Sequence, residues 1–236
     1  MGPSVSAVVA RLLASLAGVY DGTEPVDELT HALLCARGAL ERDARPALVA
    51  AALLHDVGRS PLVQAVSPRL EHEQAGAAYL APLLGDEVAW LVGQHVAAKA
   101  FLVAHEPGYT SLLSQESAAS HERQRARCTS FPHGHRWWPD ALVLRRLDDL
   151  AKDPSAPRPE LEPILAHLSP LLDDTPPAGG IGGDGLDRAA RRHPSGAHCS
   201  PDGAPGVEEG SDRLPTLPPR SEPHTRPIPA VRHLEV

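Results

Sequence analysis

The pair His55-Asp56, followed by Val57 and Gly58, closes the most apolar stretch of the chain, Ala47-Leu48-Val49-Ala50-Ala51-Ala52-Leu53-Leu54. An imidazole and a carboxylate side by side at the end of a buried segment cost free energy unless something compensates them. A metal ion would do so. The imidazole supplies nitrogen, the carboxylate can bridge two cations, and Gly58 lets the backbone turn tightly away. Without a metal, the pair reads as a helix C-terminus whose polar groups face solvent. Other residues of ligand type also sit in apolar settings. His31 is flanked by Leu29, Leu33 and Leu34, and His72 opens a segment as Glu71-His72-Glu73. His95 lies within Trp90-Leu91-Val92-Gly93-Gln94-His95-Val96-Ala97-Ala98, and Asp148 follows Leu144-Arg145-Arg146-Leu147. Singly, each reads as an ordinary core or surface residue. Together they are four His and two Asp spread over five predicted helices, and a helical bundle can point such side chains into one interior. Imidazole and carboxylate suit iron, manganese or zinc, and the absence of paired-thiol spacing argues against a structural zinc site.

The lysines add an independent signal. Of 22 basic side chains only Lys99 and Lys152 are lysines. Lys99 stands four residues after His95 and Lys152 four after Asp148, so on helices each shares a face with a candidate ligand. Lys99 could hold an anionic substrate group as a point charge. Lys152 could instead pair structurally with Asp148 or Asp149.

Helices must position these residues. Val8, Val9, Leu12, Leu13 and Leu16 recur with a 3.6-residue period, predicting a helix over 5–20 that the turn Asp21-Gly22-Thr23 stops. A second helix is predicted over 26–42. A third starts at Pro46, runs to about Asp56, and is apolar on every side, hence central and buried. A loop holds Pro61 and Pro68. Further helices are predicted over 71–84, 86–104, 139–152 and 160–172. Residues 118–138 are polar and basic without clear periodicity and read as loop. No stretch alternates with period two for long, so the fold class is all-α. Residues 1–172 form the predicted helical domain. From Asp173 onward the chain is rich in Pro and Gly and has no Phe, Tyr or Trp, which predicts a disordered tail over 173–236.

Bulk composition agrees. With 42% apolar residues but only 3% aromatics, the core must come mainly from Ala, Leu and Val. The net charge of −8 and the lack of a basic stripe exclude a nucleic-acid groove as the first expectation. Three cysteines without CxxC spacing fit a reducing compartment better than a disulfide framework. The longest apolar run is too short to span a bilayer, so a cytoplasmic protein without membrane partners is expected, as monomer or weak dimer.

The order His31…His55-Asp56…His72…His95…Asp148 resembles the motif order of the HD-domain superfamily of helical metalloproteins. Within it, longer stretches look like the mixed-valent di-iron oxygenase branch, which contains inositol oxygenase and 2-amino-1-hydroxyethylphosphonate dioxygenase (glycine-forming). These stretches are His31-Ala32-Leu33-Leu34-Cys35-Ala36, Ala52-Leu53-Leu54-His55-Asp56-Val57-Gly58, His95-Val96-Ala97-Ala98-Lys99, Glu106-Pro107-Gly108-Tyr109, Leu113-Ser114-Gln115-Glu116-Ser117 and Leu144-Arg145-Arg146-Leu147-Asp148-Asp149-Leu150-Ala151-Lys152. The resemblance covers roughly residues 15–170. It implies an HD-type bundle holding two irons as a mixed-valent Fe(II)/Fe(III) pair. One iron would be held by His31, His55, Asp56 and Asp148, the other by His72 and His95, with Asp56 bridging. Tyr20 and Glu24 match, with one residue of extra spacing, a pair that covers the open iron position until substrate arrives. Lys99, Ser117 and Arg145 fall where the family grips a phosphonate. The implied reaction is oxidative cleavage of the carbon–phosphorus bond of a small, anionic 1-hydroxyphosphonate by O2, giving a carboxylate and phosphate.

Two departures bear on the substrate. Arg59 stands where the phosphonate-cleaving members carry a second histidine. Arginine can bind a phosphonate but cannot take and return a proton near neutral pH. After Gln124, Arg125-Ala126-Arg127-Cys128 replaces a Gln-Gly-Gly segment. Two alternatives accompany the oxygenase reading. One is an HD-type phosphohydrolase using manganese or another divalent metal, in which a metal-bound hydroxide attacks a phosphoester. The other is a non-catalytic protein that keeps the fold.

Overall fold

The computed structural model describes residues 3–128 and 130–173. Among them there are eight α-helices and no strand. The expected tail lies outside the described residues, apart from Asp173. The helices are α1 (Val5–Ala14), α2 (Glu28–Leu40), α3 (Pro46–Leu54), α4 (Pro61–Val66), α5 (His72–His105), α6 (Gln115–Gln124), α7 (Trp138–Leu150) and α8 (Leu161–Asp173).

Local chemistry fixes most of the helix starts. Asp27 caps α2 by accepting from the Thr30 amide at 2.8 Å, and Ser114 caps α6 by accepting from Ser117 at 3.0 Å. Pro46 and Pro61 occupy first-turn positions, where a missing N–H costs nothing. Helix α5 is interrupted at Gly85, whose φ of 82° and ψ of 174° only glycine adopts readily. The expected division into 71–84 and 86–104 therefore stands.

Helix α3 is central, as its all-round apolarity implies. Leu48 to Leu54 are all buried, and α3 packs against α2, α5, α7 and α8. The core is built from Leu, Val and Ala, and small residues allow close approach. At Gly58 the approach is extreme, because a Cβ there would lie 1.8 Å from the His72 carbonyl oxygen. The turn after His55-Asp56 thus meets the start of α5 backbone to backbone. This contact seats His72 opposite Asp56.

Three expectations need correction. Helix α1 stops at Ala14 rather than Tyr20. The Ser15 hydroxyl donates back to the Leu12 carbonyl at 2.6 Å, and Gly18, with φ of 72°, turns the chain. Residues 61–66, expected as loop, form α4, because Ser60 caps it and Pro61 suits a first turn. Part of the 118–138 stretch is helical, with α6 running to Gln124 and a short 3-10 turn following over Arg125–Arg127. The aromatic end of that stretch packs on α5, with His135 stacked on Trp90 at 3.9 Å and Phe131 edge-on to Phe101 at 5.3 Å. No helix among the described residues is long and apolar enough to cross a membrane.

The Gly58 contact can be tested. Gly58→Ala should cost about 3 kcal/mol or more, since backbone rather than a flexible side chain must yield. Thermal melts followed by circular dichroism should show the loss, whereas Gly134→Ala, where a Cβ meets nothing, should melt like the parent.

Candidate metal centre

The six candidate ligands converge. His31 comes from the second turn of α2, and His55 and Asp56 from the end of α3. His72 opens α5, His95 lies in its second half, and Asp148 lies near the end of α7. His31 Nε2 stands 3.2 Å from His55 Nε2 and 3.2 Å from Asp148 Oδ1. His55 Nε2 is 3.3 Å from Asp56 Oδ2. On the other side of Asp56, Oδ1 lies 3.2 Å from His72 Nε2 and 3.7 Å from His95 Nε2, and those two nitrogens are 3.1 Å apart. The two oxygens of one carboxylate therefore face two separate groups of donors. Ligands ~2.1 Å from a shared ion stand ~3.0–3.4 Å apart, which is the spacing of most of these pairs, the His95–Asp56 pair being wider at 3.7 Å.

Hydrogen bonding sets the tautomers. The Nδ1 atoms of His31, His55 and His95 face the backbone carbonyls of Ala151, Ala52 and Val92 at 3.2, 3.0 and 2.8 Å. Donation there leaves the Nε2 lone pairs pointing inward. His72 Nδ1 lies 3.2 Å from the buried Glu73 carboxylate. Two inward lone pairs 3.2 Å apart, as on His31 and His55, repel unless a cation lies between them. The donor set thus fits two metal ions.

Electrostatics points the same way. Burial opposes ionisation of Asp56, but Arg59 and His55 hold it well below the usual carboxylate range. Arg145 and His55 do the same for Asp148. Burial alone would lower His55, yet Asp56 and Asp148 raise it to about 9. His95, buried and close to His72 and His55, is pushed well down.

Cys35 Sγ lies 3.8 Å from His31 Nε2. Burial raises its pKa, as do Asp148 and Asp56, and the thiol borders the donor group of His31 and His55.

The remaining candidates form a surrounding layer. Lys99 is buried and donates to the Ser120 hydroxyl at 2.6 Å. Burial and the nearby Arg145 lower its pKa to about 8. Arg145 is buried, paired with Asp148 at 2.5 Å and with Asp149, and its Nη2 is 3.5 Å from Ser117 Oγ. Lys152 pairs with Glu24 at 2.7 Å rather than with Asp148 or Asp149, and it also donates to Ser117 Oγ at 2.7 Å. Glu24 additionally accepts from Ser114 at 2.5 Å. Arg59 is ringed by carboxyl groups of Asp21, Glu28 and Asp56. Tyr20 is 57% exposed and is not drawn to the donor cluster.

Sequence reading missed Ser120 and Glu28. Ser120 lay in a segment without apolar periodicity. Glu28 shares a helix face with His31 three residues on, which was a usable signal. It is buried, and burial with the Asp56 charge raises its pKa, against the opposing pull of Arg59 3.4 Å away.

Residues 9–125 match the HD domain family. The chain belongs to this family, whose helical fold and clustered His and Asp side chains it has. Among curated proteins it is 33% identical over 168 residues to hydroxymethylphosphonate dioxygenase of Gimesia maris, an alignment spanning 65% of this chain and 81% of that enzyme.

Metal analysis of purified variants tests the two-sided geometry. Asp56→Ala should lose both ions and His72→Ala only one, with the folded signal in circular dichroism retained. Loss of both ions from His72→Ala would mean a single shared site.

Proposed function

We propose that this chain is a di-iron oxygenase that cleaves the carbon–phosphorus bond of a small 1-hydroxyphosphonate. The observation that carries this reading is the donor cluster divided by Asp56, with a buried ammonium, Lys99, whose hydrogen-bond partner is a neutral hydroxyl. Similarity to an enzyme named for hydroxymethylphosphonate supports the substrate class. Imidazole and carboxylate donors suit iron. When bound, the iron pair supplies the one-electron and dioxygen chemistry that side chains lack.

The residues divide the remaining work. His31, His55, Asp148 and one oxygen of Asp56 would hold one ion, and His72, His95 and the other oxygen the second. The second side has one protein donor fewer and so leaves more room for substrate oxygens. Lys99 is one helical turn beyond His95 on α5, on the same face. Arg145 is neutralised by Asp148 and Asp149, and Lys152 by Glu24. Lys99 therefore supplies the positive charge for a phosphonate, with the Ser117 hydroxyl as a donor beside it. Glu24, held by Lys152 and Ser114, would border the open position, whereas Tyr20 faces solvent and takes no part in it. Overall, the hydroxyl-bearing carbon loses hydrogen and phosphorus. The two atoms of O2 enter the carboxylate and the phosphate, so no external reductant is needed.

Phosphate release from hydroxymethylphosphonate by iron-loaded protein should require O2 and yield one formate per phosphate. Equal release under argon, or turnover of phosphodiesters with manganese under argon, would make the protein a phosphohydrolase. Lys99→Met should raise KM about 100-fold while leaving the metal in place. Folding lowers the Lys99 pKa from 10.5 to about 8, so its charge opposes folding fully below pH 8 and the penalty fades towards 10.5. The variant should therefore melt no lower than the parent at pH 7. In the parent, KM should rise as pH passes 8 and the ammonium is lost.

A further inference from the structure

The segment between α1 and α2 is a strap closed at its base. The Gly18 amide donates to Asp27 Oδ2 at 2.9 Å, and the Glu28 amide to the Val19 carbonyl at 2.8 Å. It is pinned to the rest of the chain at three places. Glu24 is held by Lys152 and Ser114. Gly22 packs so closely against the Glu116 carboxylate that a Cβ would lie 2.3 Å from Glu116 Oε2. Gly22 has φ of 56°, so glycine is favoured there on both counts. The third tie is Asp21, gripped by both terminal nitrogens of Arg59 at 2.8 Å each.

The same guanidinium reaches the metal centre. Arg59 Nε lies 3.2 Å from Asp56 Oδ1, the oxygen facing His72 and His95, and 3.4 Å from Glu28 Oε1. Its fork towards Asp21 and its inner edge towards Asp56 are thus both occupied. A planar guanidinium can make these contacts at once, whereas an ammonium on a flexible stem cannot reproduce them. Asp21 turns inward to Arg59, while Tyr20 beside it faces solvent.

We propose that Arg59 is a positioning residue that fixes the bridging orientation of Asp56 and, through Asp21, holds the 18–27 strap in one register, instead of binding the substrate's anionic group. This rests on the two-ion reading of the centre but not on the phosphonate.

The test uses the metal-loaded full chain. Amide hydrogen exchange over residues 18–27 should accelerate about tenfold in Asp21→Asn and in Arg59→Gln alike, the change expected when one charge-assisted tie is lost. The double variant should exchange no faster than either single one, and Arg59→Lys should not rescue. The midpoint potential of the metal pair should shift in Arg59→Gln but not in Asp21→Asn, because only the former loses the N–H on Asp56. Unchanged strap exchange in Asp21→Asn overturns the proposal. So does tighter binding of inorganic phosphate by Asp21→Asn, which would make Arg59 an anion ligand held off by Asp21. None of these three readouts depends on turnover, so failure here is separable from failure of the oxygenase reading.

Discussion

Lone pairs that converge in a buried interior demand positive charge, and this demand organises the molecule. His31, His55 and His95 have Nδ1 against backbone carbonyls, so their Nε2 atoms turn inward. Asp56 and Asp148 add two carboxylates that the surroundings keep ionised. Such an arrangement has no favourable state without a cation or extra protons. Asp56 and Asp148 raise His55 for the same reason. Because ligands must be deprotonated to hold an ion, metal affinity would depend on pH.

Around this centre the charges form a graded shell. Arg145 and Arg59 touch Asp148 and Asp56 directly and are themselves held by further carboxylates. Such buried or half-buried guanidiniums orient their carboxylate partners more than they stabilise the fold, because desolvation offsets much of the ion-pair attraction. Lys152 closes a pair with Glu24. Lys99 is the exception, since its hydrogen bond goes to the neutral Ser120, and burial with the nearby Arg145 lowers its pKa. Local free energy sacrificed at one cation is a physical mark of a ligand-binding position.

Much of this was legible in the sequence because the informative interactions are local or periodic. The apolar run before His55 announced a central helix, and the break near residue 85 followed from the flanking helix patterns. The scarcity of lysine singled out Lys99 and Lys152. What stayed hidden was non-local or non-apolar. Helix α6 buries Ser117, Ser120 and His121 rather than a hydrophobic stripe, so periodicity gave no signal. Lys152 finds Glu24 across 128 residues and Arg59 finds Asp21 across 38, distances that no local pattern encodes. The nearer acidic residues, Asp148 and Asp149, were natural guesses for Lys152, but Arg145 already occupies both.

The asymmetry of the centre follows from where its ligands sit on their helices. His31, His55 and Asp148 come from three helices packed on one another, α2, α3 and α7, so their geometry is set by the core. His72 stands at the first residue of α5 and depends on the Gly58 contact to face Asp56. The side built from His72 and His95 is also the side with fewer protein donors. It lies under Lys99 along α5, and Asp56 Oδ1, which serves it, is the oxygen tied to Arg59. A rigid, fully furnished position beside a sparser one, sharing a single carboxylate, is suited to dividing labour between holding charge and receiving ligands. In this fold that division follows from one helix beginning where another ends.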